Sequence, residues 1–171
     1  MTDRDGEPKR LFNVHIRDLL VHDDKDPGPG RGEFAVDFGA AGVPSRAGSR
    51  TRVRWEGSVA SHRTYDVAQW TGVVAVPAPE GKLTVGGAGA ERDPGADDAL
   101  LGGVATFEAD REWGVGRWWR TVNGRDFDFV FCVTPAEEAG EAGRPAWTGE
   151  TYDAPGPDRV SAATLRPVLG G

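Results

Sequence analysis

Carboxylates are the side chains in this sequence whose crowding could do chemistry. Between the apolar runs Leu83-Thr84-Val85 and Val104-Ala105-Thr106-Phe107, Glu91, Asp93, Asp97 and Asp98 fall on one stretch bent by Pro94 and Gly95. A second acidic stretch, Asp23, Asp24 and Asp26, follows an early apolar run and leads into Pro27-Gly28-Pro29-Gly30. Acidic groups packed within a few residues repel one another by an amount that shrinks with exposure, so such loops are either well hydrated or neutralised by a cation. Calcium takes about six to eight oxygens from flexible loops, and two Asp-bearing loops meeting at one end of a β-sandwich would supply them. Asp-Pro-Gly and Asp-Asp are also ordinary solvated turn chemistry, and that reading stays open beside the first.

Other site chemistries lack their residues. An EF-hand started at Asp24 and Asp26 puts Gly28 and Pro29 where Asp/Asn and Gly belong, and Ala35 where the bidentate Glu belongs. His15, His22 and His62 are far apart, without Cys or His at zinc spacing. There is no Gly-x-Ser-x-Gly frame, and Gly86-Gly87-Ala88-Gly89 opens no helix, which excludes a phosphate loop and makes it a turn. The single cysteine, Cys132, sits in a strand-like run without a paired His, as a small buried apolar residue does. No catalytic residue is assigned, and an enzyme is not expected.

The elements that must hold the acidic loops are short strands. With 25 Gly and 12 Pro in 171 residues, helices would be broken almost everywhere, whereas strands joined by tight turns accommodate this composition. Phe12, Val14 and Ile16 alternate with polar residues, although Phe12, Ile16 and Leu19 also fall at helical spacing; the β-rich remainder of the chain favours a strand. Phe34, Val36 and Phe38 alternate cleanly, Gly39 to Ser49 reads as a loop, and Thr51 to Trp55 resumes with arginines outward. Tyr65/Val67 and Val73 to Val76 read as two further strands, and Leu83/Val85 and Val104 to Phe107 flank the second acidic loop. Asn123-Gly124 is the strongest turn signal, a two-residue type I′ hairpin between Trp118–Val122 and Arg125–Val133. The expected fold is all-β, a two-sheet antiparallel sandwich of about eight strands.

Three segments are predicted: a mobile arm over 1–10, the sandwich over 11–133, and a Pro/Gly-rich extension over 134–171. In the extension Trp147 and Tyr152 are aromatic anchors that would dock it on its own sandwich or on a neighbouring copy. The N-terminus lacks the apolar core of a signal peptide, and no apolar run approaches a membrane span, so a cytoplasmic protein is expected. A formal net charge of -7 argues against nucleic-acid binding and against constitutive attraction to anionic lipid. Arg50, Arg52 and Arg54 share one strand face that could meet phosphoinositide or an acidic protein, or stand solvated. Trp118 and Trp119, adjacent on a strand, must point to opposite faces, which would leave one of them for a partner.

Taken with their flanking strands, the two acidic loops resemble those of a C2 domain, the calcium-dependent membrane-docking β-sandwich. The pattern runs from Val14–Val21 through Asp23/Asp24/Asp26 to Gly32-Glu33-Phe34-Ala35-Val36. It resumes with Leu83-Thr84-Val85, then Asp93, Asp97 and Asp98, then Leu100-Leu101-Gly102. Arg31-Gly32-Glu33-Phe34 stands where many members have Ser-Asp-Pro-Tyr, so Glu33 would replace the usual Asp. The resemblance implies a non-catalytic module that holds Ca²⁺ on Asp23, Asp24, Asp26, Glu33, Glu91, Asp93, Asp97 and Asp98. It implies no organic cofactor, and docking to a protein or, when Ca²⁺ is bound, to an anionic membrane. The alternative is a structural or assembly protein that uses the sandwich and its extension to self-associate, with the acidic loops idle.

Overall fold

The computed structural model describes residues 8–26, 30–44, 47–116 and 119–136. It is an all-β sandwich of two four-stranded antiparallel sheets. The strands are β1 (Lys9–Val21), β2 (Gly32–Val43), β3 (Arg50–Val59), β4 (Arg63–Pro77), β5 (Lys82–Glu91), β6 (Asp98–Phe107), β7 (Arg120–Val122) and β8 (Phe127–Pro135). One sheet has the order β4-β1-β8-β7 and the other β3-β2-β5-β6. Among the described residues no helix is long and apolar enough to cross a membrane. Trp118, Trp147 and Tyr152 lie outside the described residues, as does the expected docking of the extension.

The core forms where period-2 faces meet. Phe12, Val14 and Ile16 from β1, Phe34, Val36 and Phe38 from β2, and Phe127, Phe129 and Phe131 from β8 are buried together. The helix-like spacing early in the chain has a physical cause. Ile16 pairs with Phe131 while Asp18 pairs with Val130, so Arg17 is an extra residue on β1. Such a bulge flips the alternation. The inward positions are even-numbered through Ile16 and odd-numbered at Leu19 and Val21, both buried.

Three strand assignments are corrected. β2 does not stop at Phe38; it continues through Gly39-Ala40-Ala41-Gly42, hydrogen-bonded between β3 and β5, with the inward position filled by Ala40. The two predicted strands around Tyr65 and Val73 are one long β4, with positive φ at Ala68 and Gly72. Gly86-Gly87-Ala88-Gly89 is not a turn but the middle of β5. Gly87 is there because aromatic rings occupy the space a side chain would take, whereas Gly89 is pressed against the Ala35 carbonyl of β2. A Cβ at Gly87 would lie 3.2 Å from both Phe38 and Phe127, and one at Gly102, opposite on β6, only 2.5 Å from Cε2 of Phe127.

The hairpin at Asn123-Gly124 exists in a different form. Val122 pairs with Phe129, so four residues, 123–126, lie between β7 and β8, and neither Asn123 nor Gly124 has a positive φ. The turn is held instead by Gly124 N–H donating to Asp128 Oδ1 at 2.9 Å. A side-chain acceptor thus replaces the backbone geometry that Asn-Gly supplies in a type I′ turn.

Gly102→Ala tests the glycine clearance. Overpacking against Phe127 and the Gly87 carbonyl should cost about 1 to 3 kcal/mol. Urea denaturation should show a lowered midpoint with an unchanged slope, and a midpoint equal to wild type would show that Phe127 yields freely.

Candidate cation site at the loop end

The pairings Val21 with Phe127, Gly32 with Val59 and Phe34 with Glu91 bring residues 22–26 and 30–31 and the connections 60–62, 92–97 and 123–126 to one end of the sandwich. Both acidic loops are therefore at that end. The role of each carboxylate follows from the strand phase that delivers it.

On β5, Leu83, Val85, Gly87, Gly89 and Glu91 share the inward face by the strand's period. Glu91 is thus a carboxylate at a core-facing position, at the mouth of the sandwich, and it is 2% exposed. Its partner across the β5–β6 ladder is Asp98, an acid directly opposite an acid, which is a destabilising pairing in the absence of a counter-charge. Asp93, from the loop just beyond, completes the group: ligand oxygens of Glu91, Asp93 and Asp98 all lie within 4.8 Å of one another. That separation is about twice a calcium–oxygen distance, so a single ion could touch all three.

The electrostatics are unresolved by the protein alone. Burial raises the Glu91 pKa, a backbone hydrogen bond from Glu33 opposes it, and the charge of Asp93, a side-chain hydrogen bond with Asp93 and the charge of Asp98 each raise it further. Oε2 of Glu91 has no hydrogen-bond partner among the described residues. Three carboxylic acids offer only oxygen donors, and two of them are exposed to incoming ions. That donor set fits a hard divalent cation such as Ca²⁺.

The remaining candidate ligands, Asp23, Asp24, Asp26, Glu33 and Asp97, stay outside this group. Those of the first loop are placed against other partners. Asp24 Oδ2 accepts from Ser61 N–H at 3.2 Å, and Asp23 Oδ1 accepts from Lys25 N–H at 3.0 Å. Asp26 lies against Gly30, where a Cβ would fall 2.1 Å from its Oδ2. Glu33 contributes its backbone to the neighbourhood of Glu91: its carbonyl accepts from Arg92 N–H at 2.9 Å, and its N–H bonds the Glu91 carboxylate.

Sequence reasoning missed the acid that organises this end. Asp126 is 2% exposed. Its Oδ2 accepts from Leu101 N–H at 2.7 Å and from Arg125 Nη2 at 2.8 Å, and its Oδ1 meets Lys25 Nζ at 3.0 Å. The backbone follows: Asp126 N–H donates to Leu101 O at 2.9 Å, and His22 N–H donates to Asp126 O at 3.1 Å. Asp126 thereby joins β6, the first acidic loop and the β7–β8 connection. No local pattern signals it, because its partners Lys25 and Leu101 are remote in sequence.

Of the partner-binding candidates, Arg50, Arg52 and Arg54 stand outward on β3, as expected. Trp119 does not stand free: it is 2% exposed, with the His15 ring tilted against it at 5.8 Å and the Arg17 guanidinium over its ring at 5.1 Å. It covers the outer face of β1 and β8 with Val130 and Cys132 rather than presenting a platform. Cys132 is buried, and burial pushes its thiol above the ordinary range.

Asp126 gives this end a pH signature. Burial would raise its pKa, but the bonds from Arg125, Leu101 N–H and Lys25 outweigh it and hold the carboxyl at about 2, against an ordinary 3.8. A depressed folded-state pKa adds stability that is present above the unfolded value and lost as pH falls through about 2. Asp126→Asn should therefore cost about 2 kcal/mol at pH 7 and roughly half that at pH 3. Urea titrations at the two pH values check it, and an equal penalty at both would assign the effect to shape rather than charge.

No protein-family model matches the chain, and no curated protein matches it in sequence, so a functional reading rests on this geometry.

Proposed function

We propose that the chain is a non-catalytic, C2-like binding module that takes Ca²⁺ on Glu91, Asp93 and Asp98 and uses the loaded loop end to dock onto an anionic partner, protein or membrane. The observation that carries the reading is Glu91: a carboxylate at a core-facing strand position, one oxygen without a hydrogen-bond partner among the described residues, facing two further acids. The resemblance of the loop and strand pattern to C2 domains supports it. Calcium suits the site better than magnesium because ligands from two strand ends and a loop fit an irregular shell of about six to eight oxygens better than the near-ideal octahedron Mg²⁺ demands. Backbone carbonyls and water would complete the shell. The bound charge would offset the local excess of acid and allow approach to an anionic surface, in keeping with a cytoplasmic protein that reaches membrane only with Ca²⁺.

A structural role is favoured for the first acidic loop by the contacts of Asp24 with Ser61 and of Lys25 with Asp126. On this division of labour, only the second loop is a ligand site.

Calorimetric titration and thermal melts separate the two roles. Ca²⁺ should raise the melting temperature by mass action, roughly 5 to 10 °C at a hundredfold excess over Kd, with Mg²⁺ far less effective. Glu91→Gln should abolish the Ca²⁺ response and yet melt higher than wild type in chelator, since it removes an uncompensated buried charge. Asp23→Asn should leave the response intact. A wild-type melting curve unchanged by millimolar Ca²⁺ would place the structural alternative ahead.

A further inference from the structure

The outer face of the β3-β2-β5-β6 sheet has two walls of different chemistry. Along β3, Arg50, Arg52 and Arg54 point away from the core, the side chains of Arg52 and Arg54 being 74% and 50% exposed. Along β6, Leu101 and Val104 are 46% and 67% exposed. Between them the central strands present a shallow groove floored by Gly39, Ala41, Gly86 and Ala88, with Asp37 and Thr84. A Cβ at Gly86 would lie 3.2 Å from Val104 Cγ2, so the floor runs directly into the apolar wall. Asp37 sits 4.0 Å from Arg52 and 3.9 Å from Arg54, while Glu56 sits 2.8 Å from Arg54 and 2.9 Å from Arg92. Arg52, Arg54 and Arg92 thus share Asp37 and Glu56, and Arg50 adds a further exposed guanidinium to the same strand face, so the arginines outnumber the acids they pair with in a chain of formal net charge -7.

We propose that this face docks an amphipathic α-helix of a protein partner, lying along the strands with Glu or Asp against the arginine row and aliphatic side chains against Leu101 and Val104. Width and repeat both match. Three strand spacings separate β3 from β6, about 14 Å, against a helix diameter of about 10 to 12 Å with side chains. Arginines at every second strand residue recur at about 6.6 Å, and acids at i, i+4 and i+8 of a helix recur at about 6 Å. An extended acidic peptide would set unpaired backbone groups on a Gly/Ala floor that cannot bond them, whereas a helix satisfies its own. The arginines contribute orientation and choice of partner, and the bare floor lets the helix approach closely.

The test uses the full chain in chelator, which removes any dependence on the cation site. Two fluorescein-labelled helical probes share one aliphatic face and carry either Glu or Lys at i, i+4 and i+8. Wild type should bind the Glu probe roughly tenfold or more tightly than the Lys probe. Arg50→Glu with Arg52→Glu should invert that preference, and Val104→Asp should weaken both probes. These side chains are exposed, so melting curves matching wild type confirm that each variant is folded. Equal affinity of wild type and the charge-reversed variant for the Glu probe overturns the proposal, as does binding of neither probe. Sedimentation of wild type with phosphatidylserine vesicles, lost on charge reversal while the Glu probe fails to bind, assigns the face to lipid and equally overturns it.

Discussion

A carboxylate removed from water must be met by donors or by a cation, and the loop end of this sandwich is arranged around two buried acids that meet the requirement differently. Asp126 is answered from within the chain. A lysine, an arginine and a backbone N–H converge on it, and the bonds they make hold strand β6 and two connections in register. Glu91 is met by one donor, the Glu33 backbone, and otherwise by the acids Asp93 and Asp98, which raise its pKa rather than neutralise it. The two acids are linked through β6: Leu101 bonds Asp126, while Asp98 at the start of the same strand faces Glu91. A rigid, internally satisfied acid therefore fixes the strand that brings the unsatisfied one its neighbour.

The residue after Asp126 carries the same constraint into the core. Phe127 opens β8 and is fully buried between the sheets, with Phe38 at 6.2 Å edge-on. Its ring takes the volume that side chains at Gly87 and Gly102 would have filled. Those glycines weaken their strands by the entropy they lose on folding, and the loss is offset by aromatic burial. The bulge at Gly102-Gly103 then re-aims β6, so that Leu101 and Val104 both face outward on either side of it.

Fold class and most strands were legible because large apolar residues announced their period: Phe34/Val36/Phe38 and Phe127/Phe129/Phe131 alternate in sequence and are buried together. Legibility failed where the inward position carries no bulk. Ala40 hid the second half of β2, and Gly87 and Gly89 hid the second half of β5; in both, period 2 continues while hydrophobicity lapses. Extending the β5 phase from Leu83 and Val85 would have delivered Glu91 to the inside, the one fact that separates it from solvated acids around it. Asp126 was hidden differently, since nothing in Arg125-Asp126 tells a buried hub from an exposed turn. Its partners, Lys25 and Leu101, are remote in sequence, and remote partners leave no periodic trace.

Position also decides how a ligand at the loop end would be felt. Asp93 and its neighbours alone would form a surface site, and an ion there would order a loop and little else. Glu91 lies instead at the last rung of the β2–β5 ladder, opposite the buried ring of Phe34, and its carboxylate is bonded by the N–H of Glu33 at the start of β2. On the proposed reading, a cation drawing on Glu91 therefore acts on the ends of three adjacent strands of one sheet, β2, β5 and β6. Occupancy then couples to the stability of the sandwich itself, because the charge that is relieved belongs to the core and not to the loop. The outer face of that sheet keeps its arginines on β3, at the opposite edge from β6, so cation binding and the groove draw on different residues of one rigid layer.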